Sequence, residues 1–264
     1  KPRLDVIVKL AGAGAPYPCP FERTAALTRR VEVETGLHMP ATYAADETCA
    51  VWPWRFLAKE YLPGIVWAAA RNKMSTAERT EAQAALGCAI ARLHTLRFSS
   101  FGELEPDATH VVEGLPLLAA LRQRAGRYLR PEVPRAFYFD LLERSADLFA
   151  GVADARLCHE DLHGYNILFE RQGGVWKLQT LLDFDKAWAG HTEIDLARMA
   201  FWRGMTSPTF WEAYTAVWPL SPGFEKRRLI YQLQWCLEYP ALDARHRADT
   251  ARACRALGLT APDF

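Results

Sequence analysis

Residues 157–185 constrain the fold more than any other part of the sequence. Two short apolar runs, at 167–169 and 178–184, flank the pair Gly173-Gly174, and this arrangement predicts a β-hairpin. Polar residues stand just before the first run and at the end of the second. Because a hairpin returns the chain to the edge from which it started, these polar residues are expected to meet at one edge.

The polar residues form the pattern H-x-D-L-H-x-x-N, followed after the hairpin by D-F-D. The candidates are His159, Asp161, His163, Asn166 and Asp183. Carboxylate and amide oxygens suit a hard cation such as Mg²⁺, and a carboxylate can accept the proton of an attacking hydroxyl. Any one Asp or Asn alone is a common turn residue. The joint pattern, with apolar strands in the required places, is far more specific.

This pattern resembles the catalytic core of the aminoglycoside phosphotransferase and choline kinase-like family, a branch of the protein-kinase-like superfamily. The resemblance implies an α+β, bilobal fold: a small strand-rich N-terminal lobe over residues 1–63 and a larger, mainly helical C-terminal lobe over residues 64–264. It also implies an enzyme that transfers a phosphoryl group to a hydroxyl of a small molecule.

The same resemblance assigns roles to the five polar residues. Asp161 is expected to be the catalytic base, and His159 to brace its loop through hydrogen bonds. Asn166 and Asp183 are expected to hold Mg²⁺. His163 stands where a protein kinase usually has a lysine, and it counts among the candidate catalytic residues.

The nucleotide, ATP or GTP, is expected to bind to the N-terminal lobe. Lys9, on the first predicted strand, is similar to the lysine that contacts the α- and β-phosphates of the family's nucleotide. Glu22, which opens the next predicted helix, is expected to form an ion pair with that lysine. Backbone groups of Glu60 and Leu62 are expected to bind the base.

Two segments depart from the family's pattern. No glycine-rich loop precedes Lys9, and we expect the strands that carry this loop to precede residue 1. The segment 189–197 is similar to the family's G-D-P-x-x-D-L-A, but His191 and Thr192 replace its Asp-Pro. Within it, Asp195 is expected to brace the catalytic loop.

Composition limits which classes of binding partner and which cellular compartment are expected. The chain has 32 basic against 31 acidic residues and no run of like charges, which favours neither nucleic acid nor an anionic membrane surface. No segment approaches the ~20 apolar residues of a membrane-spanning helix. The six cysteines are scattered without a C-x-x-C pair, which favours reduced thiols in a cytoplasmic protein.

The acceptor is less well constrained. From residue 200 to the end there are eight basic and six acidic residues, which weakly disfavours a strongly cationic acceptor. Most tryptophans of the last third are expected to lie in the core, with one or two lining a pocket: Trp188, Trp202, Trp211, Trp218 and Trp235. Glu238 and Asp243, near the last of these, are the candidate acceptor contacts.

Two other functions fit parts of the pattern. His159, Asp161 and His163 could ligate a transition metal and support hydrolysis, although Asn166 and Lys9 would then have no role. A kinase-like module that binds nucleotide without turnover is the second alternative, favoured by the missing glycine-rich loop. A hydrolase would act without nucleotide, whereas a binding module would bind nucleotide without turning it over.

Overall fold

A computed structural model describes residues 5–12, 14–15, 19–50, 52–238 and 244–262. Within this part of the chain, nine strands form three antiparallel sheets. The first sheet has the order β1-β3-β2 and contains β1 (Val6–Ala11), β2 (Thr42–Asp46) and β3 (Arg55–Glu60). The second, β4-β7-β8, contains β4 (Ile65–Val66), β7 (Ile167–Gln172) and β8 (Val175–Leu181). The third, β5-β6-β9, contains β5 (Arg97–Phe98), β6 (Ala155–Cys158) and β9 (Trp188–Gly190).

Helices supply most of the remaining described structure. They are α1 (Phe21–Thr35), α2 (Trp67–Ala70), α3 (Thr76–Leu93), α4 (Leu117–Tyr128), α5 (Glu132–Arg144), α6 (Ala146–Phe149), α7 (Glu193–Phe201), α8 (Pro208–Thr215), α9 (Phe224–Glu238) and α10 (Ala244–Ala256). A single 3₁₀ turn covers Phe184–Lys186, immediately after β8.

Local sequence signals explain where several helices begin and end. Gly36 ends α1 in the left-handed conformation, with φ 63°, which glycine adopts at low cost. Ser75 and Glu78 form a capping box at the start of α3. Ser207 caps α8 by accepting from the N–H of Phe210.

The predicted hairpin is also confirmed. β7 and β8 pair from Ile167↔Leu181 to Gln172↔Val175, so the two residues between them make the turn. Gly173 and Gly174 both have positive φ, 57° and 87°, and a turn of this kind matches the twist of the flanking strands. The hairpin therefore brings its two ends to one edge.

Two apolar segments form shorter elements than their residues favour. The strand-like apolar residues of 48–62 form a strand only at Arg55–Glu60, since the described residues 47–50 and 52–54 are bent or irregular. The first predicted strand, which carries Lys9, runs over Val6–Ala11. The apolar residues of 137–149 are divided between two helices that meet at Ser145.

The main core joins α1 to the helical part of the chain. Leu27 and Val31 on α1 pack in the same cluster as Leu86 and Ile90 on α3 and Phe169 on β7, and all five are fully buried. Burial of each such side chain contributes about 1.5–3 kcal/mol. α1 belongs to the N-terminal lobe predicted over residues 1–63, yet it shares this core with the helical part of the chain. The lobe boundary at residue 63 therefore stays a prediction.

The six cysteines are all free thiols, and three of them, Cys158, Cys236 and Cys254, are buried. None of the helices in the described ranges combines the length and the apolar character that crossing a bilayer requires.

Candidate active site

The catalytic loop, residues 159–166, lies between β6 and β7. Asn166, its last residue, donates its side-chain N–H to the backbone oxygen of Asp161 at 2.9 Å. The Asn166 N–H also donates to the backbone oxygen of His163 at 2.9 Å, and the Asn166 carbonyl accepts from Leu182 at 2.8 Å. These bonds close the loop into a compact turn, so the side chains of Asp161 and Asn166 face one cleft.

His159 braces this loop as predicted. One ring nitrogen, Nδ1, accepts from the N–H of Asp161 at 3.2 Å, and Nε2 lies 2.8 Å from the backbone oxygen of Leu182. This pairing assigns the neutral tautomer with its proton on Nε2. Since both nitrogens are engaged, His159 has no lone pair to offer a metal.

Asp195 holds the loop from the other side. Its buried carboxylate accepts from the backbone N–H groups of His159 at 2.8 Å and Glu160 at 2.6 Å. His94 lies 3.2 Å from the same carboxylate. Burial opposes ionisation, yet these hydrogen bonds and His94 keep the pKa of Asp195 below its usual range. The predicted bracing role is therefore what the geometry shows.

The hairpin returns Asp183 to the same cleft, in the left-handed conformation with φ 68°. Lys9, on β1, lies 2.8 Å from the carboxylate of Asp183 and 2.7 Å from that of Asp185. Burial lowers the pKa of Lys9, but the two carboxylates outweigh it and raise the pKa above its ordinary value. Residues that are far apart in sequence therefore meet here, as the pattern predicted.

Asp161 forms an ion pair that the sequence analysis did not foresee. Its Oδ1 lies 2.6 Å from Nη2 of Arg198, on α7. Burial favours the neutral acid, but Arg198, followed by Lys186 and His163, holds the pKa of Asp161 below its usual range. Asp161 is therefore ionised at neutral pH and can accept a hydrogen bond from a hydroxyl.

Arg198 could have been found from its spacing. It follows Asp195 by three residues on one helix, and residues three apart share a helix face. Since Asp195 was expected to meet the catalytic loop, the same face of the helix would bring Arg198 to that loop.

His163 faces Asp161 from within the same loop, with Nε2 3.8 Å from the carboxylate. Its Nδ1 accepts from the N–H of Tyr165 at 3.2 Å, so the remaining proton is on Nε2. Partial burial outweighs the carboxylate and lowers the pKa of His163. The ring is therefore neutral at pH 7 and turns its Nε2–H toward Asp161, at a distance too long for a direct hydrogen bond.

Asn166 and Asp183 fit a magnesium site of the kind that is completed by phosphate oxygens. The amide N–H of Asn166 points to Asp161, which leaves the amide oxygen as its ligand atom. The Asp183 carboxylate is ionised, because Lys9 outweighs burial and keeps its pKa low. Mg²⁺ typically takes one or two protein oxygens together with phosphates and water.

The expected ion pair between Lys9 and Glu22 does not form. Glu22 is exposed at the start of α1, and Lys9 instead binds Asp183 and Asp185. The face of α1 that meets the site carries Thr24, which is 5% exposed and donates to Asp185 at 3.0 Å. Because Thr24 lies on the buried face of α1, Glu22 lies on another face of the helix and points to solvent.

Glu60 and Leu62 lie at the end of β3, where the resemblance places the nucleotide base. The N–H of Glu60 donates to the carbonyl of Ala41 at 2.8 Å. Glu60 can therefore offer a base its carbonyl and not its N–H. Leu62 follows the strand and is half-buried.

Glu238 and Asp243 are the two residues that were predicted to contact the acceptor. Glu238 is 8% exposed and lies 2.9 Å from Lys186, so its carboxylate is part of an internal ion pair. It does not line the pocket that contains Asp161. Asp243 lies outside the described residues.

That pocket, which we call the acceptor pocket, encloses about 670 Å³ beside the catalytic loop. Asp161 and His163 form one side, and Trp202 and Trp235 line it as well. The expectation that one or two tryptophans line a pocket is confirmed. The metal-hydrolase alternative loses support, since both ring nitrogens of His159 are engaged by the backbone and offer a metal no lone pair.

Comparison with known proteins identifies the family. The family model described as the phosphotransferase enzyme family matches residues 2–230. The chain belongs to this family. A ketoamine kinase of Lactiplantibacillus plantarum, named as probable, is 28% identical over 178 residues, which cover 61% of this chain and 60% of that protein. Ketosamine-3-kinase of Mus musculus is 38% identical over 78 residues, 29% of this chain and 23% of the mouse protein.

Solved structures show the same fold. A thermostable mutant of the aminoglycoside phosphotransferase APH(4)-Ia, in its apo form, superposes with a TM-score of 0.61 at 15% identity. The match covers 94% of this chain and 83% of that one. The protein-kinase-like α+β fold predicted from the sequence is confirmed. The curated relatives are matched over less than two thirds of their length, so they identify the family and leave the activity to be argued from the site.

Proposed function

We propose that this chain is an ATP-dependent phosphotransferase that transfers the γ-phosphate to a hydroxyl of a small molecule. One observation carries the proposal: three separate segments bring two contacting pairs together, Lys9 with Asp183 and Asn166 with Asp161, and the N–H of Leu182, next to Asp183, donates to the carbonyl of Asn166. Phosphoryl transfer needs these groups for positioning and charge neutralisation. We further propose that the nucleotide lies between residues 1–63 and 64–264.

Each residue has a defined task in this reaction. Lys9 binds the α- and β-phosphates, and Asn166 and Asp183 hold the metal. Mg²⁺, when bound, neutralises charge on the phosphates. Asp161 orients the acceptor hydroxyl and takes its proton. The hydroxyl oxygen forms a bond to the γ-phosphorus as the bond to the β–γ bridging oxygen breaks, and ADP leaves with that oxygen.

The low pKa of Asp161 defines what kind of base it is. An ionised carboxylate that Arg198 holds at 2.6 Å is a weak base, so it orients the hydroxyl early and receives the proton late. This order suits a loose transition state in which the bond to the leaving oxygen breaks first.

A ketoamine acceptor is favoured over an aminoglycoside. The relatives found by sequence carry the names ketoamine kinase and ketosamine kinase. The acceptor pocket is lined by four arginines, which repel a polycationic antibiotic. A hydroxyl-rich ketoamine can instead stack on Trp202 and Trp235.

The decisive experiment is Asp161→Asn, assayed with Mg²⁺ and ATP or GTP against ketoamines, aminoglycosides, choline-like amines and sugars. Turnover is expected to fall at least ~100-fold with nucleotide binding retained, because a positioned base contributes about 10²–10⁴-fold. Asp154→Asn is the matched control, since Asp154 is exposed, pairs with Arg97 and Arg156, and does not line the acceptor pocket.

The outcomes separate the possible functions. Turnover that is lost in Asp161→Asn and kept in Asp154→Asn supports the proposal. Undiminished turnover in Asp161→Asn refutes Asp161 as the base. Nucleotide binding without turnover of any acceptor favours a binding module.

A further inference from the structure

The acceptor pocket is unusually rich in positive charge. Its lining contains the arginines Arg71, Arg198, Arg203 and Arg245. Asp161 is the single acidic residue among the described residues that line it. The chain as a whole is almost neutral, at a formal +1, so this concentration is local.

Two of the arginines are already bound by the protein. Arg198 is paired with Asp161 at 2.6 Å, and its guanidinium stacks over Trp235 at 4.3 Å. Arg71 donates to the backbone oxygen of Arg203 at 2.6 Å. A carbonyl carries no net charge, so the charge of Arg71 is not neutralised by this bond.

The other two arginines stand at the opening of the pocket. Arg245 lies 3.8 Å from Asp249, a loose contact at a side chain that is 64% exposed. Within the described ranges, no carboxylate lies within ion-pair distance of the guanidinium of Arg203. Arginine presents its donors as a planar fork that matches carboxylate or phosphate oxygens.

The nucleotide does not account for these cations. The groups assigned to the phosphates and the metal, Lys9, Asn166 and Asp183, do not line the acceptor pocket. Asp161, in contrast, lines the acceptor pocket. The arginines are therefore on the acceptor side of the reacting hydroxyl, and the molecule they meet is the acceptor.

We propose that the acceptor carries an anionic oxygen group, a carboxylate or a phosphate, which Arg203 and Arg245 bind at the opening of the pocket while Asp161 receives its hydroxyl. This inference rests on the proposed function, and it narrows the substrate class. For a ketoamine, it selects the adduct of an amino acid, which keeps a carboxylate, over the adduct of a simple amine.

The pocket walls suit the rest of such a molecule. Trp202 and Trp235 meet at a ring-centroid distance of 4.9 Å and an angle of 67°. Both side chains line the pocket and add apolar surface for a sugar-derived chain, while the arginines fix its charged end. A polycation would gain the same surface but would meet like charge at the opening.

The test compares two ketoamines of glucose that differ by one carboxylate, made from alanine and from ethylamine. A third ketoamine, made from glucose 6-phosphate and ethylamine, carries phosphate as its only anionic group. An anion-bearing compound is expected to show at least ~10-fold higher kcat/KM than the neutral one, because charge-assisted hydrogen bonds to arginine are strong. The anionic ketoamine with the higher kcat/KM identifies which group the arginines bind, a carboxylate or a phosphate.

Arg203→Gln and Arg245→Gln should remove this preference through KM for the acceptor, with KM for ATP unchanged. Arg247→Gln is the matched control, because Arg247 is exposed on the same helix as Arg245 and does not line the pocket. Equal kcat/KM for all three ketoamines, or a preference that survives both substitutions, overturns the inference and leaves the proposed function intact.

A binding measurement keeps the two proposals separate. Quenching of tryptophan fluorescence by each ketoamine reports occupation of the pocket lined by Trp202 and Trp235, whether or not phosphate is transferred. Tighter binding of an anionic compound, lost in Arg203→Gln, supports the inference even if turnover is absent and the proposed function fails. Equal binding of all three compounds refutes it.

Discussion

Arg124 is the centre of a buried ionic cluster beneath the catalytic loop, and its removal gives the sharpest stability prediction. Its guanidinium binds Glu160 of the loop, Glu103, and the backbone oxygen of Lys186. The side chain is 1% exposed, against 16% for Glu160 and 14% for Glu103. Removing one partner of a buried pair costs about 3–5 kcal/mol, because the other charge stays buried without compensation.

The pH sets how large this cost is. Burial raises the pKa of Glu160 to about 7 from an ordinary value of 4.5, despite the nearby Arg124. A carboxyl whose folded-state pKa is raised contributes stability that is complete below its unfolded-state pKa and is lost as the pH rises through about 7. The difference corresponds to about 3 kcal/mol.

Arg124→Met should therefore lower the free energy of unfolding by about 3–5 kcal/mol at pH 8, and by less at pH 5.5, where Glu160 is protonated. Urea unfolding followed by tryptophan fluorescence measures both values. Adding Glu160→Gln should restore part of the loss at pH 8, because the unpaired carboxylate is then gone.

Arg127→Met is the control for this experiment. Arg127 contacts the same Glu103 at 3.2 Å, but its side chain is 50% exposed. Exposed pairs are worth about 0–1 kcal/mol, so this variant should lose little stability. If Arg124→Met costs no more than Arg127→Met, or costs more at pH 5.5 than at pH 8, the burial argument is refuted.

Further predictions concern the site and its support. Arg198→Gln should raise the pKa of Asp161, because Arg198 is the cation that most opposes the effect of burial on this carboxyl. Activity should then be lost first at acidic pH, which a pH profile of kcat/KM measures. Asp195→Asn leaves one of two buried backbone N–H groups unpaired and should cost about 1–3 kcal/mol together with a fall in kcat, seen in parallel unfolding and rate measurements. Gly87→Ala would place a methyl 2.5 Å from the backbone oxygen of Phe210 and should lower the melting temperature by several degrees, measured by calorimetry.

Local patterns predicted the catalytic loop well because its geometry depends on near neighbours. The Gly173-Gly174 turn pairs β7 with β8, so that the N–H of Leu182, next to Asp183, donates to the carbonyl of Asn166. Asp195, one segment later, was assigned its bracing role through the resemblance of residues 189–197 to a family segment. These parts needed no knowledge of the tertiary fold.

The error at Glu22 has a different origin. Acidic residues are common at helix starts, but the buried stripe of α1 runs through Phe21, Thr24, Leu27 and Thr28, at spacings of three and four. Glu22 lies off that stripe. The periodicity contained this information, whereas proximity to the helix start did not.

Other contacts could not be predicted from the sequence. α4, which carries Arg124, was not identified, and nothing local indicates that its arginine reaches a loop 36 residues later. Glu238 was chosen for its closeness to Trp235 in sequence, yet its carboxylate turns to Lys186. Such pairings are set by how helices pack, and only the folded chain shows them.

The hydrogen bonds of the Asp195 carboxylate affect how activity and fold are lost when the protein is heated. His94 bonds Asp195 through one ring nitrogen and the hydroxyl of Tyr214, on α8, through the other at 2.8 Å. All three groups are buried in the interior. The loop that carries Asp161 is thereby connected to α8 through buried side chains. We expect catalysis and the fold to be lost at the same temperature, with no inactive but folded stage between them.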